Sequence, residues 1–316
     1  MSTFLVTGAT GRQGGSVVRE LLAAGAKVQV LVRDETKQEA KDLAALGAIL
    51  FVGDYSDNNA IARAVVGVEG IFLNPMPNFD DFDSERAQVQ RFIDAVHSAS
   101  PPTVKTIVIS TVSFTAHHAA WLAEDPDYPM RDFNAGKLAA EDVVRASGVP
   151  NTVVLRPPWL TSNYVAPMCH YHFPSAGAGP GPDGVIEMRT PIRRDMLIAH
   201  LDPRDIGRIA SAAFLHPQRF AGKTIAPGWR NITIVDVARE IEQVTGKAVK
   251  VVPQDPEELK RSKGPNSFMG GAWEWLNVHG YELTQAELDE VGELGIELRS
   301  LRTFLEDNKD IVFPPM

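Results

Sequence analysis

A short apolar run, Phe4-Leu5-Val6, breaks into spaced glycines and passes at once into helical periodicity. The glycines are Gly8, Gly11 and Gly14, spaced Gly-x-x-Gly-x-x-Gly, and Val17, Val18, Leu21 and Leu22 then mark one helical face. The first glycine permits a tight turn off a strand. The second lets backbone come close to a ligand's phosphates, and the third lets strand and helix pack tightly. The N–H groups at the start of a helix favour an anion there. A glycine pattern alone is a weak signal, with an ordinary turn as the alternative. Its place between a strand and a helix, at the head of several such units, points to a dinucleotide site built from Gly8, Thr10, Gly11, Arg12, Gln13 and Gly14.

The same alternation continues for half the chain. Apolar strands are expected at 28–32, 48–52, 70–73, 106–109 and 152–155. Helices are expected at 16–24, 35–46, 58–66, 84–99 and 133–146. The strands do not alternate strictly, as in a sheet buried on both faces, so the expected fold is an α/β, Rossmann-type, doubly wound parallel sheet. After Arg156-Pro157-Pro158 the rhythm stops, and 158–202 is rich in Pro, Gly, His and aromatic residues. Further helices are expected at 205–215, with Asp202 as cap and Pro203 at its first position, and at 233–245, 267–278 and 300–308, with a strand at 249–252. The expected organisation is a dinucleotide-binding domain over 1–157, to which 203–227 returns, and a smaller α+β substrate or partner lobe over 158–316.

Arg33 and Arg12 decide between cofactors. Sites for NAD(H) usually carry an acidic residue at the end of the second strand, whereas this chain has Leu31-Val32-Arg33-Asp34. Arg33 suits a 2′-phosphate, with Arg12 near enough to join it, so NADP(H) is expected over NAD(H). The alternative leaves both arginines in solvent, with Asp34 on the ribose. Asp54 is a candidate for the adenine amino group, or a loop carboxylate. Asn74-Pro75-Met76-Pro77 follows the fourth strand on the ligand side of the sheet and suits a stiff wall against the cofactor.

Net charge is −9, which argues against generic binding to nucleic acid or an anionic membrane. The single cysteine, Cys169, excludes an internal disulfide. With no basic leader at the N-terminus and no long apolar run, a cytoplasmic protein is expected, monomeric or homodimeric. His117-His118 and Cys169-His170-Tyr171-His172 lack the spacing of a known metal site, so no metal is expected. His170 and His172 are instead candidates to line a substrate pocket.

Val6-Thr7-Gly8-Ala9-Thr10-Gly11-Arg12-Gln13-Gly14 resembles the start of NmrA-like proteins, an atypical branch of the short-chain dehydrogenase/reductase superfamily. Arg131 to Lys137, Gly148-Val149-Pro150, Leu155-Arg156-Pro157 and the stretch 196–222 are similar to that family's segments, in order. The resemblance implies that Lys137 lies toward the nicotinamide ribose and that Pro157 belongs to the cofactor site. It also implies that the second lobe closes over the nicotinamide. Met76, Phe114, Phe133, Trp159, Tyr164, Met168 and Trp273 are the substrate-pocket candidates, although such residues are more often core.

Ordinary members of the superfamily use a serine, a tyrosine and a lysine four residues after the tyrosine. Here Phe133 stands four before Lys137 and has no proton to give. Lys137 itself, Ser110 at the end of the fifth strand, and Tyr128 remain as catalytic candidates, with a surface-loop tyrosine as the alternative for Tyr128. Two functions follow from the resemblance. One is an NADPH-dependent reductase of a small apolar or aromatic carbonyl, imine or enone. The other is an NADP(H)-sensing redox regulator that binds a protein partner without turnover.

Overall fold

In the computed structural model, which describes residues 2–261 and 265–314, the expected alternation becomes a seven-stranded parallel sheet. Its strands include β1 (Thr3–Val6), β2 (Lys27–Val32), β3 (Ile49–Val52), β4 (Gly70–Leu73), β5 (Thr106–Ser110) and β6 (Asn151–Leu155). Thr224–Ile225 supplies the seventh, and the order is Thr224–Ile225, β6, β5, β4, β1, β2, β3. Chain order reverses between β1 and β4, the switch point at which such sheets hold ligands.

β4 and β5 are buried along their whole length, which is why Ile71 to Leu73 and Ile107 to Ile109 read as unbroken apolar runs. β3 departs from that expectation: as an outermost strand it leaves Ile49 49% and Val52 44% exposed. Helices α1 (Arg12–Ala23), α2 (Gln38–Ala45), α3 (Asn58–Ala64) and α4 (Ser84–Ser98) follow the first four strands. Two more helices, Arg131–Arg145 and Pro203–Leu215, complete the layers. Successive strand residues point to opposite faces. Leu5, Ile71 and Ile107 join Ile61 of α3, Phe92 of α4 and Val144 in one core. Phe4, on the other face, meets Phe214 of Pro203–Leu215 at 4.8 Å between ring centres, and that helix packs along α1.

α2 begins three residues later than its periodicity suggested. Asp34 Oδ1 accepts from both Thr36 N and Thr36 Oγ1, and this local turn keeps 34–36 out of the helix.

The chain divides into two units. The first contains 1–116, 132–157 and 203–225, so the segment 117–131 leaves the domain expected over 1–157 and joins the second unit. That second unit contains 117–131, 158–202 and 226–316. It holds a sheet in which Leu197–Leu201 lies parallel to Trp159–Leu160 and antiparallel to Arg230–Thr233. It also holds a parallel pair, Ile186–Thr190 with Val249–Pro253. Two of its helices start at capping boxes. Thr233 and Asp236 cap Ile234–Thr245, which stops at left-handed Gly246, and Thr284 and Glu287 cap Gln285–Glu293.

Candidate nucleotide site

The glycine turn and the switch point share one cavity of about 670 Å³ in the first unit. Gly8 leaves β1 at φ 61°, in the left-handed region that favours glycine. A Cβ on Gly14 would lie 2.4 Å from the carbonyl oxygen of Gly8, so only glycine lets α1 start this close to the turn. α1 has no side-chain cap at Gly11, which suits an anion at its first turn.

Across the switch point, β1 and β4 are tied together. Thr7 Oγ1 donates to Phe72 O at 3.1 Å and accepts from Asn74 N at 2.9 Å. Tyr55 OH donates to Asn74 O at 2.6 Å, and burial pushes the Tyr55 phenol up to about 12. These bonds fix the segment that carries Asn74 against Gly8.

Of the expected cofactor residues, Gly8, Thr10, Gly11, Arg33, Asp54 and Asn74 line the cavity. Arg33 is exposed at the end of β2. Asp54 accepts from Ser56 N and Ser56 Oγ, and those bonds hold its carboxyl below the ordinary range. Arg12, Gln13, Gly14, Pro75, Lys137 and Pro157 lie outside the lining. Gln13 is engaged elsewhere: its Oε1 accepts from Ser110 Oγ at 2.7 Å, which joins the turn to the end of β5. Met76, expected in a substrate pocket, lines this cavity and is 57% exposed.

The opposite wall was missed in the sequence. Ser84, Ala87, Gln88 and Arg91 of α4 all line the cavity. Their spacing, i, i+3, i+4 and i+7, is one helical face, and the polar members on it were the available signal.

Lys137 is 6% exposed and donates to Glu85 Oε1 at 2.6 Å. Phe133, in the place of the usual tyrosine, lies among Phe79, Phe82 and Phe114, with Lys137 Nζ 4.9 Å from its ring centre. The structure therefore brings Lys137, Phe114 and Phe133 together.

Tyr128 lies in the second unit and is not a surface-loop residue. It is 1% exposed, its ring packs on Trp121 and Trp275, and its hydroxyl pairs with His118 Nδ1. His117 stacks on Trp121. Trp159 and Trp273 meet at 5.3 Å and line a second, smaller cavity with His172. Tyr164 is fully enclosed, its hydroxyl bonded to His200 Nε2 at 2.7 Å, so it is core rather than pocket. Met168 begins the short helix Met168–His172 and is not part of that cavity's lining. Among the described residues, no cluster of three or more His, Cys, Asp or Glu is placed to hold a metal ion. No helix of the described residues is long and apolar enough to cross a membrane.

The NmrA-like family model matches residues 1–304. The chain is 25% identical over 271 residues to the NmrA-like family domain-containing oxidoreductase himF of Aspergillus japonicus, covering 84% of this chain and 80% of that one. The fold is similar to that of NmrA, a negative transcriptional regulator solved in complex with NADP. That match has a TM-score of 0.76 and 21% identity, over 97% of this chain and 94% of that one. It is also similar to the NADPH-dependent quinone oxidoreductase QOR2 of Escherichia coli, solved with NADPH. There the TM-score is 0.71 and the identity 20%, over 96% of this chain and 99% of that one.

Proposed function

The chain belongs to the NmrA-like family, and from that premise we propose that it binds NADP(H) at the switch-point cavity and reduces a small apolar or aromatic carbonyl, imine or enone. The observation that carries this reading is the shared cavity, which an uncapped helix start, close-approaching glycine backbone and Arg33 line together. Its volume is in the usual range for a small-molecule site. The residues fit the dinucleotide: Gly8, Gly11 and the head of α1 suit its pyrophosphate, Arg33 its 2′-phosphate, and Asp54 its adenine edge.

When bound, NADPH supplies a hydride. The chain's own part is to orient and to exclude water. Thr7, Tyr55 and Asn74 hold the switch point rigid. Lys137 holds a positive charge under an aromatic cover, and Ser110 keeps Gln13 in place.

A second reading is favoured by one observation. Phe133 occupies the proton donor's place, and Lys137 is already committed to Glu85. That suits a regulator whose affinity for a protein partner changes with NADP(H) occupancy.

One experiment separates the two. NADPH and NADH are titrated into the purified protein by fluorescence, and NADPH-loaded protein is then mixed with a panel of aldehydes, ketones, imines and enones. The reductase reading expects NADPH to bind about tenfold or more tightly than NADH. It also expects reduced-nicotinamide absorbance to fall with at least one acceptor. Tight binding with no oxidation across the panel transfers the conclusion to the regulator. No binding of either nucleotide overturns both.

A further inference from the structure

Helix α4 buries a stripe formed by Val89, Phe92, Ile93 and Val96, and Glu85 sits on the same stripe with 0% exposure. A carboxylate at such a position needs a partner. The partner is Lys137 Nζ, 2.6 Å away, on the helix Arg131–Arg145. The rings of Phe79, Phe82, Phe114 and Phe133 pack beside it.

The approach of the two elements is specific. A Cβ on Gly136 would lie 2.2 Å from Phe82 O, so any side chain there would drive the lysine helix off the segment leading into α4. Burial raises the Glu85 carboxyl above its ordinary value, although Lys137 opposes that. One carboxylate oxygen, Oε2, is buried with no hydrogen-bond partner, and so is the hydroxyl of Ser84. Ser84 lines the nucleotide cavity and is the chain neighbour of Glu85, so the pair is joined to that wall through the first turn of α4, although neither Glu85 nor Lys137 is part of the lining.

A buried ion pair with an unpaired oxygen is poor evidence of a stabilising role, because apolar side chains of similar volume commonly do as well. We infer that Glu85 is a positioning residue of the nucleotide site, whose carboxylate fixes the Lys137 ammonium in one place so that a bound dinucleotide meets a preset donor. The inference rests on the NADP(H) reading above and adds to it a residue outside the family-like segments. It places Glu85 behind Lys137 and not against the cofactor.

The test uses the full chain as wild type, E85Q, K137M and the double variant E85M/K137M. Two quantities are read: the NADPH dissociation constant, and the rate at which acetic anhydride acetylates Lys137 in nucleotide-free protein, followed by peptide mass spectrometry. In E85Q, Lys137 is expected to acetylate about tenfold faster than in wild type, and NADPH affinity to fall about tenfold. K137M is expected to lose a similar factor, and the double variant no more than either alone, because both act through one group. The double variant, which buries no lone charge, keeps its thermal transition and guards against E85Q failing to fold. Equal acetylation in wild type and E85Q overturns the inference. So does wild-type NADPH affinity in E85Q alongside weakened binding in K137M. If wild type itself binds no NADPH, the nucleotide reading fails, and the acetylation contrast still decides whether Glu85 sets the position of Lys137.

Discussion

At the scale of single residues, the site depends on charges that meet a phosphate and on backbone that can come near one. Arg33 was legible because its place at the end of the second strand is fixed by counting from the glycine turn. Arg91 was not, because it sits far along α4 and reaches the cavity only through the fold. Glu85 was overlooked for another reason: an acidic residue in a first helical turn is ordinary, and only its register with Val89, Phe92 and Val96 marks it as buried. For Arg33 the expected outcome is selective. R33A should weaken NADPH by roughly 10- to 100-fold, the worth of about 1.5–3 kcal/mol for a charge-assisted bond, and leave NADH within about twofold. Calorimetric titration of both nucleotides measures it. An equal loss for the two would remove Arg33 from 2′-phosphate recognition.

At the scale of elements, β1 to β6 and the helices after them were readable because central strands here are short, apolar through their middles and bounded by turn residues. The second unit was harder. Ile186–Thr190 alternates buried and exposed as a strand should, yet it is five residues long and follows a glycine-proline cluster that reads as loop. Trp159–Leu160 is too short to carry a period at all. Leu197–Leu201 was anticipated only through family likeness in the stretch 196–222. Helix Ile234–Thr245 was the clearest element there, since Thr233 opens it and Gly246 closes it. T233A removes the bonds to Asp236 and should lower stability by about 1 kcal/mol, within the range for lost helix caps. Urea denaturation followed by tryptophan fluorescence would detect it, and an unchanged midpoint would argue that the cap contributes nothing.

At the scale of the whole molecule, pH acts through buried histidine. His200 is 0% exposed. Its Nδ1 lies 2.8 Å from Ile198 O, which places the proton there, so Nε2 accepts from Tyr164 OH. Burial lowers its pKa from 6.5 to about 4. Between those values the unfolded chain binds the proton and the folded chain does not, so stability rises with pH across that window. It is fully present above about 6.5 and is lost progressively as pH falls toward about 4. The urea midpoint should therefore drop between about pH 7 and pH 5, and H200Q should show a shallower drop. An identical slope in both proteins would assign the acid sensitivity to other groups.

The seventh strand, Thr224–Ile225, comes from far along the chain and pairs with β6 only after 158–202 has been spent in the second unit. A protein cut after 157 would keep the glycine turn, the cavity and Lys137, yet it would lose this cover. Val154 and Leu155 would then present unpaired backbone groups along one side of the sheet. Such a border recruits strands from other molecules. The excised domain is thus expected to self-associate, so nucleotide titrations belong to the uncut chain.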